Sequence, residues 1–243
     1  MKRLTIDIDS VAQMRNLFNE PEFNPSRFAI LGEVGGAHGI AAILGDGKKG
    51  LLERDIKLIK ETHISYLNLH IPAKDPQIKT ALSLSPNMVT FVDFNPSELH
   101  NRILPLSANI ISGILPDILP DFQANNISVS AFVSPEISVL KQLSKVEIDY
   151  VEFDCSRYTL ADDSNDELVE LDNIRSAILG AAKLGLGVNC YGGISYGHLP
   201  ALASIPQLED ITMGLSILKR SIEVGVNQAI QEALHQIIAF QKE

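Results

Sequence analysis

The residues able to act on a substrate are four carboxylates, one histidine and two glycine-bearing turns. Asp7 and Asp9 stand two apart, as do Glu152 and Asp154, so in extended chain each pair faces one way. Carboxylates gathered in this manner have three uses. They exchange protons, with at least one pKa raised by its neighbour; they call for a cation; or they fill a wet cavity through hydrogen bonds. His70 is the group best suited to move a proton near neutrality, although one histidine at a strand end serves equally as hydrogen-bonded filling. Two turns, Asn189-Cys-Tyr-Gly192-Gly193-Ile-Ser195 and Thr212-Met-Gly214-Leu215-Ser216, offer backbone amides that could hold phosphate or another anion at a helix N-terminus. Glycine is also simply the residue that lets a strand turn sharply into a helix.

A third glycine stretch, Gly45-Asp-Gly47-Lys-Lys-Gly50, spells G-x-G-x-x-G. A dinucleotide loop would be followed, about 20 residues on, by an acidic residue for the ribose. Ser65-Tyr-Leu-Asn-Leu-His70 has none, so this reads as a charged surface loop. Cys155 and Cys190 have no basic neighbour that would mark a nucleophile. No metal motif or cofactor fingerprint appears.

These groups have to be placed by regular elements. Short β-rich runs recur at Leu4–Ile8, Gly39–Leu44, Tyr66–Ile71, Met88–Val92, Ser128–Val133, Asp149–Phe153, Leu186–Cys190 and Asp210–Met213, with Ala108–Ile114 as a further short apolar run. Helical patterns separate them, over Leu51–Thr62, Asp75–Leu84, Pro135–Lys145, Glu167–Leu184, Gly214–Val224 and Val226–Lys242. Asn24-Pro25 and Ser134-Pro135 look like helix starts, and Gly185 like a helix stop. Eight alternations in 243 residues predict one α/β domain over 1–243, a (β/α)₈ barrel; an open doubly wound sheet is the competitor. In a barrel the chemistry belongs at the C-terminal strand ends, where Asp7, Asp9, His70, Glu152, Asp154, Asn189 and Tyr191 fall.

With 30 acidic against 20 basic residues the net charge is −10, and no basic block occurs, which argues against nucleic acid or an anionic membrane as partner. Asp7 and Asp9 interrupt the start where a signal peptide needs an apolar run. The apolar stretch Ile103–Phe122 is broken by Pro105, Pro116 and Pro120. The expectation is a soluble, cytoplasmic protein.

Several segments together resemble one family. Asp7-Ile8-Asp9-Ser10 with Ala12 and Arg15-Asn16 is similar to a first strand reading Asn-Ile-Asp-His followed by Ala and Arg. Gly36-Ala-His-Gly-Ile-Ala-Ala-Ile43-Leu-Gly45-Asp, Asn68-Leu69-His70, Val151-Glu152-Phe153-Asp154-Cys155, Gly185-Leu-Gly-Val-Asn189-Cys-Tyr-Gly192-Gly193 and Thr212-Met-Gly214-Leu215-Ser216 resemble its later strands. The family is pyridoxine 5'-phosphate synthase, and the likeness runs end to end.

That resemblance implies a cofactor-free condensation of 1-deoxyxylulose 5-phosphate with aminoacetone phosphate, closing a pyridine ring, in a homo-oligomer. It also implies two histidines and a glutamate for proton transfer. Those fall on Ile43, Gly192 and His70 here, while cations expected for phosphate fall on Ser10, Phe18, Gly45, Gly50 and Leu215. Asp9, Arg15, Asn68, Glu152, Tyr158, Asn189, Gly193, Tyr196, Gly214 and Arg220 match. The expectation is a barrel impaired in the family's reaction that binds a phosphorylated small molecule through Asp7, Arg15, Asn189, Gly192, Gly193, Gly214, Leu215 and Ser216. The alternatives are an enzyme with an altered proton-transfer set, His70 with Asp9, Glu152 and Asp154, and a purely regulatory or structural barrel.

Overall fold

The computed structural model describes residues 1–44, 50–94 and 103–241. The β-branched runs become strands β1 (Arg3–Asp7), β2 (Gly39–Ile43), β3 (Tyr66–Pro72), β4 (Met88–Phe94), β5 (Ile103–Leu104), β6 (Ser128–Val133), β7 (Tyr150–Asp154), β8 (Gly187–Tyr191) and β9 (Asp210–Met213). Hydrogen bonding runs β3-β2-β1-β9-β8-β7-β6-β4 and returns through a β3–β4 pairing, so eight parallel strands close on themselves. The two-residue β5 pairs antiparallel with the end of β4. With helices between the strands this is a (β/α)₈ barrel, as the alternation predicts.

Most helices begin and end where the sequence signals them. Asn24 accepts from the amides of Ser26 and Arg27, and Pro25 opens the helix Pro25–Val34 at a position where its missing N–H costs nothing. Asp163 does the same for Ser164–Lys183, and Gly185, at φ +80°, lies just beyond that helix's end. Ser134-Pro135 does not start a helix, since the helix there is Ile137–Leu143 with Glu136 as its N-cap, and three further departures have local causes. Ala108–Gly113 is a helix rather than an extended run. Leu115–Ala124 is helical despite its prolines, because Pro116 sits in the first turn and only Pro120 removes an internal hydrogen bond. Asp9–Phe18 is helical without any side-chain cap at its start, which left no sequence signal. Gly45 and Gly47 of the G-x-G-x-x-G lie outside the described residues, while Gly50 is in the left-handed region at φ +127°.

Alternation along the strands sorts side chains into two cores. Leu4, Ile6, Ile40, Leu69, Val89, Val129, Val151, Val188 and Ile211 face outward into one large apolar cluster with the helices. Each such Leu, Ile or Val contributes about 1.5–3 kcal/mol on full burial. The inward set is mostly polar and is traceable by register: Asp7 lies beside Ala41, Ala41 beside Asn68, Ile43 beside His70, His70 beside Thr90, and Glu152 beside Asn189. At the N-terminal end of the interior, Asp210 accepts from Thr5 Oγ1 (3.0 Å) and Arg3 Nε (3.1 Å). Midway, Thr90 donates to Asn68 at 2.8 Å. Toward the C-terminal end, Ile43, Val92, Ile103 and Phe132 form a second, small apolar cluster with Phe94 and Tyr191 packed on it.

Burial pushes the Asp210 carboxyl up to about 6, against the pull of Arg3 and Thr5. A raised acid favours the protonated folded form, so its contribution to stability is greatest below the unfolded value near 4 and falls as pH climbs through 6. Urea unfolding of Asp210→Asn, compared with the parent at pH 4 and pH 7, is expected to lose a pH-dependent difference of about 2–3 kcal/mol. Equal pH slopes in the two proteins would contradict the assignment.

Candidate functional site

β3 and β7 bring His70 and Glu152 together across the barrel. Their Nε2···Oε2 distance is 2.5 Å, and the side chains are 1% and 0% exposed. The sequence separation is large, yet both residues point inward because each occupies an even step from another inward residue on its strand. Glu152 keeps its second oxygen, Oε1, without a hydrogen-bond partner. The His70 ring packs against Tyr191 at 5.4 Å between centroids, and Tyr191 in turn meets Phe132 edge-on at 5.8 Å. Ile43, the register neighbour of His70 on β2, completes the apolar roof.

Around the ends of β1, β8 and β9 the mouth is polar. Asp7 closes β1, and Asp9 is already the first residue of the helix that follows, so the two are not alternate strand residues. They meet because the chain turns between them. The Asp9 amide donates to Asp7 Oδ1 at 2.7 Å, and the Ile43 amide donates to Asp9 Oδ2 at 2.9 Å. Tyr191 Oη donates to Asp7 Oδ2 at 2.6 Å. Burial, with Asp7 alongside, holds the Asp9 carboxyl well above the usual carboxylate range. Burial and the same Asp7 charge push the Tyr191 phenol up.

The other expected residues have distinct surroundings. Asp154 accepts from the Ser156 amide (2.9 Å) and hydroxyl (2.5 Å), holding the chain as it enters the short helix Ser156–Thr159. Gly192 and Gly193 both adopt positive φ, +113° and +67°. A Cβ on Gly192 would lie 2.7 Å from Asp154 Oδ1, so this turn has been built for glycine. Gly214 precedes the helix Leu215–Val224, whose start has no side-chain cap; the first-turn amides of Leu215 and Ser216 face the C-terminal side of the barrel. Arg15 grips Asp55 with both terminal guanidinium nitrogens, at 3.0 and 2.9 Å, and donates to the Gly50 carbonyl at 3.2 Å. It therefore anchors the return of the β2 loop. Asn189 is buried inside the barrel with Oδ1 unpartnered.

Sequence reasoning thus named His70, Glu152, Asp7 and Asp9 but not their pairing, and it put Tyr191 at a strand end without giving it a part in the site. The signal for that part was available: Tyr191 stands two residues after Asn189 and so shares its face. Cys155 and Cys190 are buried in the outer apolar layer, where the neighbouring Cys190 thiol and desolvation both push the Cys155 thiol up.

A buried, hydrogen-bonded pair of polar side chains is costly to break and cheap to replace as a unit. Glu152→Leu or His70→Leu alone is expected to lower unfolding free energy by about 3–5 kcal/mol. The double variant His70→Leu/Glu152→Leu should lose less than either single change in the same urea titration. Additive losses would show that the two side chains act independently.

Comparison with known proteins agrees with this architecture. Solved structures of KGPDC from Streptococcus mutans (TM-score 0.67, 11% identity, 99% of each chain) and thiamine phosphate pyrophosphorylase from Pyrococcus furiosus (TM-score 0.62, 13% identity, 99% and 97%) share the fold. Pyridoxine 5'-phosphate synthase of Geobacter metallireducens is 33% identical over 237 residues, covering 98% of this chain and 99% of that protein. The corresponding protein of Syntrophobacter fumaroxidans is 31% identical, covering 96% and 98%. A family model described as pyridoxal phosphate biosynthesis protein PdxJ matches residues 4–239, and the chain belongs to that family.

Proposed function

We propose that this barrel binds a small phosphorylated molecule at its mouth and has lost most of the ring-closing condensation that the family resemblance implies. The observation that carries the reading is the burial of His70. Among the described residues it is the histidine on the barrel's inner face, it is 1% exposed, and its Nε2 is committed to Glu152 beneath Tyr191. A group that moves protons must come within hydrogen-bond reach of the reacting atom, directly or through one water. Ile43 and Gly192, where the resemblance puts two further proton-transfer residues, cannot take that part. Gly192 is doubly constrained, since any side chain there meets Asp154 and Ser156 in a left-handed backbone.

Phosphate recognition rests on different atoms. The uncapped first turn at Leu215 and Ser216 offers amides and the positive end of a helix dipole, with the Gly192–Gly193 turn on the neighbouring strand end. Backbone amides survive side-chain substitution, so binding can outlast chemistry. A second reading, an enzyme using His70 and Glu152 in a new role, is supported by the short contact between them and the unpartnered Glu152 Oε1.

Purified protein supplied with 1-deoxyxylulose 5-phosphate and aminoacetone phosphate should form pyridoxine 5'-phosphate and release phosphate at least about 10²-fold more slowly than an ordinary enzyme turning over at about 1 s⁻¹. Turnover at or above that ordinary rate would overturn the proposal. If slow turnover is found and His70→Ala abolishes it, the second reading holds.

A further inference from the structure

Three helices carry rows of apolar side chains that run on past the body they pack against. On Asp9–Phe18, helical spacing puts Val11, Met14 and Phe18 on one face; Val11 is buried and Met14 packs on the core, yet Phe18 is 62% exposed. On Leu215–Val224, Leu218 is buried while Ile222, one turn later, is 73% exposed. On Pro25–Val34, Phe28 is buried, and Leu31 and Val34 at the following steps are open to solvent. The rows converge on a groove of about 290 Å³ lined by Val11, Phe23, Phe28, Leu31, Leu218 and Ile222, and the Phe18 ring stands 6.1 Å from that of Phe23. Single exposed apolar side chains are ordinary on a protein surface, but a contiguous set rimmed by polar groups marks an interface. The charged residues lining the groove are Glu22 and Arg27, both exposed, and among the described residues neither enters an ion pair.

We infer that this groove seats a second copy of the chain, in a two-fold dimer whose apolar rows cover one another and in which Glu22 of each protomer pairs with the partner subunit's Arg27. Charge decides between a second copy and a different protein. A two-fold interface has to be self-complementary, so one patch must supply both members of every cross-pair. This patch does so, with one acid, one base and apolar side chains from all three helices. It is also neutral in a chain of net charge −10. Two such chains repel one another over most of their surfaces, and a neutral face with matched charges at its rim is where they can meet. A basic partner would be drawn instead to the acidic remainder of the surface. The inference is independent of the phosphate reading, since none of these side chains belongs to the mouth.

Sedimentation equilibrium of the full chain tests the dimer, with far-ultraviolet circular dichroism to show that each variant keeps the parent's fold. The parent should self-associate, and Ile222→Glu, which puts a charge on an exposed apolar position, should weaken that association at least about tenfold. Arg27→Glu and Glu22→Arg should each weaken it similarly, because each places like charges opposite one another twice across the two-fold. Mixing these two single variants in equal amounts should restore association, since every cross-pair then joins opposite charges. A monomeric parent overturns the proposal and leaves the groove to a partner of another kind. Undiminished association of folded Ile222→Glu places the contact on another face and overturns it as well. Association that is lost in both charge variants and not regained on mixing overturns the two-fold pairing.

Discussion

A closed parallel barrel has to fill its own interior, and here the middle of that filling is a histidine hydrogen-bonded to a glutamate. His70 and Glu152 are both inaccessible to water, at 1% and 0% exposure, so each is tolerable only because the other is present. The pair spans from β3 to β7 and ties separate walls of the ring together. Above it, the choice between apolar and polar packing is no longer free. A buried imidazole that already has its partner is best covered by carbon, and Ile43, Phe132 and the Tyr191 ring supply it.

This arrangement divides the mouth. On the side of β2, β4 and β6 the inward residues are Ile43, Val92, Phe94 and Phe132, with Ile103 folded onto them by the antiparallel β5. On the side of β1, β8 and β9 they are Asp7, Tyr191 and the turn at Gly214, with Asp9 just beyond. Tyr191 belongs to both halves. Its ring packs on His70 and Phe132, and its hydroxyl reaches Asp7 at 2.6 Å. The isoleucine at position 43 has two parts in this arrangement. It joins an apolar cluster, and its own amide is the donor that fixes Asp9.

Much of the fold could be read from the sequence because its signals are local. β-branched runs mark the strands, Asn24-Pro25 marks a helix start, and Gly185 marks a helix end. The helix Asp9–Phe18 could not be read, since Ile8 offers no side-chain cap to mark its start. The site divides in the same way. Residue types at strand ends pointed to Asp7, His70 and Glu152, while the Asp7–Tyr191 bond joins β1 to β8, far apart in the chain and separated in the ring by β9. Such a contact depends on ring closure and strand register, neither of which a single strand's pattern contains. Arg15 shows the converse. The family resemblance implied a phosphate partner for it, and in the structure Asp55, itself fixed by the Leu52 amide at the start of the next helix, holds the guanidinium with two parallel bonds.

Substituting the interior of this barrel while keeping its fold is physically inexpensive, and the reason lies in the two faces of each strand. The outward residues of the eight ring strands bury against helices and carry most of the apolar burial, whereas the inward residues need only satisfy one another. Thr5 with Asp210, Asn68 with Thr90, and His70 with Glu152 do so in successive steps along the interior. Ile43 can accordingly replace a polar group so long as its neighbours Val92 and Phe132 are apolar too. Gly192 is the harder position to substitute, because its backbone has a positive φ and the Asp154 carboxylate and Ser156 hydroxyl occupy the space a side chain would need. A side chain there would require Asp154 to release the helix start it holds, so glycine at 192 is fixed by contacts that the rest of the turn uses.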